Sequence, residues 1–556
     1  MTRRQLPRGM FVAAMISCLP HVAHASSLRS AVSVPSVTRT ITAESQVGDA
    51  VFLVLLRDDT LAVERYRTSG DSISGELTGR REGIVQAWSI QLGSDGHART
   101  ASSVVRRVGS PADASPLQGM SLAFSDSGVV VTVSDTHRFQ PVPRGTLPFV
   151  NLSAGVLELV IREGLRSSDS ASISLLPFGA PQAIQASVRR DTAGVVTVSV
   201  AGVAILARLD LDGNLLGAEV PAQGVRFVRV EGDAAALTAP PPPPNYAAPP
   251  GAPYTARDVT VRNDAAGVSL AGTLTLPDGA SARSPAPVVL FATGSGSQDR
   301  DSSTPALPGW APFRQLADTL GREGIAVLRM DDRGVGRSEA GPPGATSRDL
   351  AGDLRAALDF LRTQPEVDPG RIMLLGHSEG AMTVAMVAVE DSSVAGVVLL
   401  AAPALPGRII SDAQVMEVLR ERGVPEGARD SLLARNAVVR DSVAAGNPWM
   451  DFWLRYDPLP TMRRISAPVL IVQGATDRQV TPEQAEMAAE AVRQGGNGDV
   501  TVRVIPDVNH LLAHDPSGAF SGYTTLPSLK LDPAVLETVA GWVAERVASS
   551  GPPTSM

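Results

Sequence analysis

LLGHSEGAM, residues 374–382, sets Ser378 midway between Gly376 and Gly380. With 51 glycines in 556 residues, a G-x-S-x-G pentapeptide arises by chance too readily to mean anything alone. Its flanks carry the information. RIMLLG (371–376) is a short apolar run of the kind that forms a buried strand, and AMTVAMVAVE (381–390) is a good helix former. A sharp turn between strand and helix would hold Ser378 at unfavourable backbone angles. Side chains at 376 and 380 would then collide with the strand and helix packed against the turn. The N-terminus of the following helix would direct its dipole and free N–H groups at charge developing near Ser378.

The same texture extends over 257–549. PVVLFA (287–292), GIAVLRM (324–330), AGVVLLAA (395–402), PVLIVQG (468–474) and VTVRVIP (500–506) are short, apolar and rich in β-branched residues, as buried parallel strands are. Between them lie amphipathic segments such as DLAGDLRAALDFLRTQ (349–364). The alternation predicts an α/β domain with a doubly wound, mostly parallel sheet. An insertion at 406–462 interrupts it. DAQVMEVLRERG and SLLARNAVVRDSVAAG have helical period, and NPWMDFWLRYDPLP follows, with Trp449, Phe452 and Trp453 within five residues. These aromatics, at i, i+3 and i+4 on one face, either pin the insertion onto the core or form an apolar cap over a substrate pocket.

Two further motifs precede the serine: FATGSGSQDRD (291–301) and RMDDRGVGRS (329–338). With GHSEG they make 257–549 resemble the α/β-hydrolase superfamily, more narrowly its dienelactone-hydrolase-like and serine-aminopeptidase-like esterases. The resemblance implies a serine nucleophile at Ser378 and a triad in the chain order Ser, Asp or Glu, His. Of the three histidines after residue 137, His377 sits inside the turn itself. His510, in VIPDVNHLL after the last expected strand, is the expected base, with His514 as its alternative. Asp477, in the loop directly after a strand, is the implied orienting acid, ahead of Asp507. The implied oxyanion hole pairs the backbone N–H groups of Glu379 and of Ser295, where Thr293-Gly294 replaces the more usual His-Gly. Asp299-Arg300-Asp301 and Asp332-Arg333, beside the expected site mouth, suit ion pairs that staple loops.

The preceding half has another texture. TAPPPPPNYAAPPGAPY (238–254) favours extended polyproline II, so residues 237–256 read as a semi-rigid linker. Residues 28–236 show short alternating runs broken by Ser69-Gly70-Asp71, Ser94-Asp95-Gly96, Ala201-Gly202 and Asp212-Gly213, all turn-like. They predict a separate, mostly antiparallel β domain of unassigned role, a sheet or open barrel, with a division into two lobes near residue 145 as one arrangement.

The N-terminus has the layout of an export signal over 1–25: a basic start, the apolar MFVAAMISCL, and Ala23-His24-Ala25 as cleavage site. Arg3-Arg4 suits twin-arginine export, and Met15-Ile16-Ser17-Cys18 has features of a lipoprotein box that would make Cys18, the only cysteine, a lipid anchor. The expected location is periplasmic, cell-envelope or extracellular. No later apolar run reaches the length of a transmembrane helix. A net charge of −8 without basic, aromatic-rich segments argues against nucleic acid as a partner. No H-E-x-x-H or phosphate-loop motif occurs, so no cofactor or metal is expected.

These features predict an exported serine hydrolase acting on a small-molecule ester, of carboxylesterase type. A serine peptidase or aminopeptidase on the same fold is the enzymatic alternative. A non-catalytic envelope binding or scaffold protein, working through the β-rich half, is the alternative of another class.

Overall fold

A computed structural model of the chain describes residues 49–231 and 244–549, apart from 57–58, 81–82, 111–114, 135, 167, 181, 192–194 and 305–306. The expected export signal, Cys18 and residues 232–243 of the spacer region lie outside the described residues. The described residues divide into two compact units, 49–231 and 244–549.

The first unit is one 15-stranded sheet of described residues. Its first eight strands are β1 (Asp49–Leu56), β2 (Asp59–Ser69), β3 (Ser72–Gly79), β4 (Ile84–Leu92), β5 (Ala98–Arg107), β6 (Gln118–Ser125), β7 (Gly128–Val133) and β8 (Thr136–Gln140). A short β9 (Leu147–Phe149) and helix α1 (Ala154–Gly164) follow. The chain then continues through β10 (Ser170–Pro177), β11 (Ile184–Arg190), β12 (Val195–Val200), β13 (Val203–Leu209), β14 (Leu215–Val220) and β15 (Val225–Val230). Sequence neighbours pair antiparallel, β9 joins β10 in parallel, and β1 pairs with β15 to unite the two runs.

Residue 145 therefore separates the two edge strands of one sheet, β8 and β9, and a single apolar core serves both runs. The turns fall where the sequence suggests. Ala201 and Gly202 both have positive φ, 48° and 73°, the two-residue turn whose twist matches a hairpin.

Helix α1 packs against β2 and β3 and also against β10 and β11, which are far apart in the sheet order, so the sheet curls around it. A buried carboxylate fixes its start. Glu64 on β2 accepts bonds from Ser153 Oγ (2.5 Å), Ala154 N (2.5 Å), Gly155 N (3.3 Å) and Trp88 Nε1 (3.1 Å). The Ala154 and Gly155 N–H groups belong to the first helical turn and have no acceptor within the helix. Burial pushes the Glu64 carboxyl up to about 7 against these bonds, which favour the anion.

The second unit is an α/β domain. Tyr254, which the sequence leaves in the linker, opens β16 (Tyr254–Asn263), paired antiparallel with β17 (Val268–Pro277). The sequence patterns do not mark this hairpin. The expected strands follow as β18 (Ala286–Ala292), β19 (Ala326–Met330), β20 (Val367–His377), β21 (Gly396–Leu400), β22 (Val469–Gly474) and β23 (Val500–Ile505). Their order is β16-β17-β19-β18-β20-β21-β22-β23, parallel from β19 onward.

Alternation along β18 explains the two helical layers. Val288 and Leu290 pack with α3 (Ser347–Arg362), α4 (Glu379–Ala388) and α9 (Glu483–Gln494). Val289 and Phe291 pack on the other face with α2 (Pro312–Arg322) and α10 (Pro533–Ser549). The insertion between β21 and β22 forms α5 (Gly407–Glu421), α6 (Glu426–Ala444), α7 (Pro448–Arg455) and α8 (Leu459–Met462).

Candidate active site

β20 ends at His377 and α4 begins at Glu379, so Ser378 is the whole turn between them. Its φ of 54° and ψ of −120° are backbone angles a side chain rarely adopts, and the surroundings hold it there. Ser378 N–H donates to the Leu400 carbonyl (2.9 Å). A Cβ on Gly376 would lie 2.2 Å from the Gly380 carbonyl oxygen, and one on Gly380 2.2 Å from that of Ala292. Only glycine at both positions lets strand, turn and helix approach this closely.

Three loops at the carboxyl ends of the strands converge on Ser378. His510, after β23, turns Nε2 to the Ser378 Oγ at 3.1 Å and Nδ1 to Asp477 Oδ2 at 2.8 Å. Asp477, after β22, is fully buried, and Gln473 Nε2 (2.9 Å) and the N–H groups of Gln479 (2.8 Å) and Val480 (2.9 Å) also donate to it. These bonds fix its orientation. His514 is not part of this group: its exposed ring lies 3.5 Å from Asp532. The Asp507 residue is exposed, and the imidazole's carboxylate partner is Asp477.

Ser295 lies in the loop after β18, which runs against the turn at Gly380 and at Gly294, where a Cβ would be 3.3 Å from the His377 carbonyl. Asp332 anchors this loop, accepting from Thr293 Oγ1 (2.6 Å) and Gln298 N–H (2.9 Å). As the first residue of α4, Glu379 keeps its N–H out of the helical ladder. Its side chain is buried, and Oε1 accepts from Ser347 Oγ (2.6 Å) and Trp449 Nε1 (2.8 Å).

The charged clusters act as staples. Arg300 is wholly buried and donates to Asp331, Asp258, Thr273 and the Gly272 carbonyl, with the Tyr246 ring stacked 4.3 Å from its guanidinium. Arg333 grips Asp353 through two bonds, of 2.6 and 2.7 Å. The three cap aromatics divide between two stacked pairs instead of sharing one face. Trp449 stacks on Trp453 (6.3 Å), whereas Phe452 stacks on Tyr456 (5.3 Å) and packs onto the main core.

His377, which the sequence sets inside the turn, and Trp310, which it does not single out, both hold the backbone around His510. His377 Nε2 donates to the His510 carbonyl (2.9 Å), and Trp310 Nε1 to the adjacent Leu511 carbonyl (3.1 Å). Burial pushes the His377 imidazole down to about 3, so it is neutral through the ordinary pH range. Nothing in the local sequence marks either contact, because the partners are 133 and 201 residues apart. Among the described residues no group of three His, Cys, Asp or Glu could hold a metal ion, and no helix is long and apolar enough to cross a membrane.

The pattern of the alpha/beta hydrolase family matches residues 306–522. Esterase EstD of Thermotoga maritima is 28% identical over 299 residues, covering 52% of this chain and 68% of that protein. An uncharacterized protein of Mycobacterium tuberculosis is 30% identical over 201 residues, covering 35% of this chain and 57% of its own length, just over half. Among solved structures, the Pyrococcus furiosus esterase Pf2001 is similar over 56% of this chain and 96% of its own, at 19% identity and a TM-score of 0.38. The esterase domain of a Rhodothermus marinus protein is similar over 52% of this chain and 99% of its own, at 24% identity and a TM-score of 0.34. Residues 306–522 carry the alpha/beta hydrolase family's pattern, and the C-terminal half of the chain has the α/β-hydrolase fold.

Proposed function

We propose that the protein is an exported serine hydrolase that cleaves carboxylic esters through an acyl-enzyme. The observation that carries the reading is the hydrogen-bonded series Ser378 Oγ, His510, Asp477, at 3.1 and 2.8 Å, on a strained turn. His510 accepts the Ser378 proton as Oγ attacks the ester carbonyl carbon, and Asp477 stabilises the imidazolium. The oxyanion of the tetrahedral intermediate accepts from the N–H groups of Glu379 and Ser295. Its collapse breaks the carbon–oxygen bond, and the leaving alcohol takes the proton from His510. Water then attacks the acyl carbon and gives a proton to His510, which returns it to Ser378 Oγ as the second intermediate collapses and the acid leaves.

The preference for esters rests on the similarity to EstD and on the resemblance visible in the motifs. Export rests on the signal-like residues 1–25.

Fluorophosphonate labelling of the purified protein, with peptide mapping, tests the nucleophile without a natural substrate. Label is expected on Ser378, absent in Ser378→Ala and strongly reduced in His510→Ala. Hydrolysis of p-nitrophenyl esters is expected to fall by about 10⁴-fold or more in Ser378→Ala, with folding retained. Unimpaired hydrolysis by Ser378→Ala would end the proposal. Faster cleavage of aminoacyl nitroanilides than of esters would favour a peptidase.

A further inference from the structure

We propose that Glu379 is a positioning residue that couples the cap to the oxyanion site, with Trp449 as its handle. The inference rests on the serine-hydrolase reading above and adds a role for two side chains which that reading leaves idle.

Glu379 belongs to the turn through its main chain and to the cap through its side chain. Its N–H is the first of α4, directly after the strained Ser378. Its carboxylate, on a residue that is 1% exposed, meets two other elements at one oxygen. Ser347 Oγ reaches Oε1 from the first turn of α3, and Trp449 Nε1 reaches it from α7 of the cap. The second oxygen, Oε2, is buried and has no hydrogen-bond partner among the described residues. A buried carboxylate with one oxygen bare costs stability relative to an apolar side chain of that size. The geometry therefore suits a task of position better than one of stability.

The cap side of the contact is itself well held. Asn447 Oδ1 accepts from Met450 N–H (3.1 Å) to start α7, and Trp449 stacks on Trp453. Gly407, at the start of α5, packs so closely on Trp453 that a Cβ there would lie 2.4 Å from its ring. Movement of α7 therefore pulls on Glu379, whose backbone is the donor expected to meet the oxyanion. A strained φ such as that of Ser378 persists only where its neighbours over-determine it, and the Glu379 side chain supplies one of those restraints from the helical side. Donors must lie about 2.7–3.1 Å from the oxyanion, so a small displacement is costly.

The test uses a substrate too small to need the cap as a wall. In Trp449→Phe a smaller aromatic ring remains, and the N–H donor is gone. With p-nitrophenyl acetate, kcat is expected to fall about tenfold or more while KM stays within about threefold, at an unchanged melting temperature. Glu379→Gln, whose amide oxygen still accepts from both donors, is expected to lose clearly less of kcat than Glu379→Ala. Glu379→Ala is expected to match Trp449→Phe, and the double variant to be no worse than Glu379→Ala alone. Ser347→Ala, which removes the other donor, gives a second route should Trp449→Phe fold poorly, with a loss in kcat again expected.

The proposal is overturned if Trp449→Phe, or Ser347→Ala in its place, hydrolyses the acetate at the parental rate. A Trp449→Phe defect confined to KM for long acyl chains would make Trp449 a pocket wall only. It is also overturned if Glu379→Gln is as impaired as Glu379→Ala. Parental protein that takes up no fluorophosphonate at Ser378 would instead overturn the serine-hydrolase reading, and the coupling with it.

Discussion

At the scale of single residues, the site depends on atoms that hold the reacting groups as much as on those groups. His377 is the clearest case. It stands beside Ser378 in the chain, yet its ring holds the backbone of His510 through that residue's carbonyl. With its imidazole pushed down to about 3, it stays neutral through the ordinary pH range. His377→Leu should therefore lower kcat by about tenfold through misplacement of His510, without changing the shape of the pH–rate profile. His377→Gln, which keeps a donor, should recover part of the loss. A pH limb that shifts in His377→Leu would show that His377 shares in proton transfer. The sequence made Ser378 legible because a strained turn imposes a local demand for glycine on both sides. It left the partners of His377 and Glu379 illegible, because a hydrogen bond across the fold places no constraint on adjacent residues.

At the scale of elements, α1 and its capping carboxylate give the first unit a pH dependence of definite sign. Glu64 is raised in the folded state to about 7 from an ordinary value of 4.5. Between these values the folded chain holds a proton that the unfolded chain has lost. The associated stability is thus fully present below about pH 4.5 and is lost as pH rises through 7. Melting of the protein between pH 5 and 8 should show the first unit's transition falling with pH relative to Glu64→Gln, whose amide does not titrate. Glu64→Ala strands buried donors of the first helical turn and of Trp88, and should cost roughly 2 kcal/mol or more. A transition with no pH dependence relative to Glu64→Gln would mean that Glu64 keeps its ordinary titration. The strands and hairpin turns of both units were largely readable, since alternation and positive-φ residues are local signals. The β16–β17 hairpin was not. Tyr254–Asn263 follows a proline-rich stretch and alternates weakly, and its pairing with β17 is what makes it a strand.

At the scale of the whole molecule, each unit has its own apolar core. A fragment beginning at residue 244 should therefore fold cooperatively and retain hydrolysis of small esters, checked by thermal unfolding and by kcat/KM on p-nitrophenyl acetate. A folded but inactive fragment would give the β-rich unit a part in catalysis.

By itself the sequence determined the alternation of strand and helix after residue 257, the tight turn at Ser378 and the β texture before the proline run. Periodicity and backbone sterics act between residues a few positions apart, so they are written into short stretches. Chain order already favoured His510 and Asp477, but only tertiary structure set His510 against Ser378 and Asp477 against His510, at hydrogen-bonding distance. It also joined β1 to β15 in one sheet and tied Trp449 of the cap to Glu379. The Ser378–His510 contact joins residues 132 apart. Such contacts exist only once the chain has packed, because burial and sheet order bring the partners together.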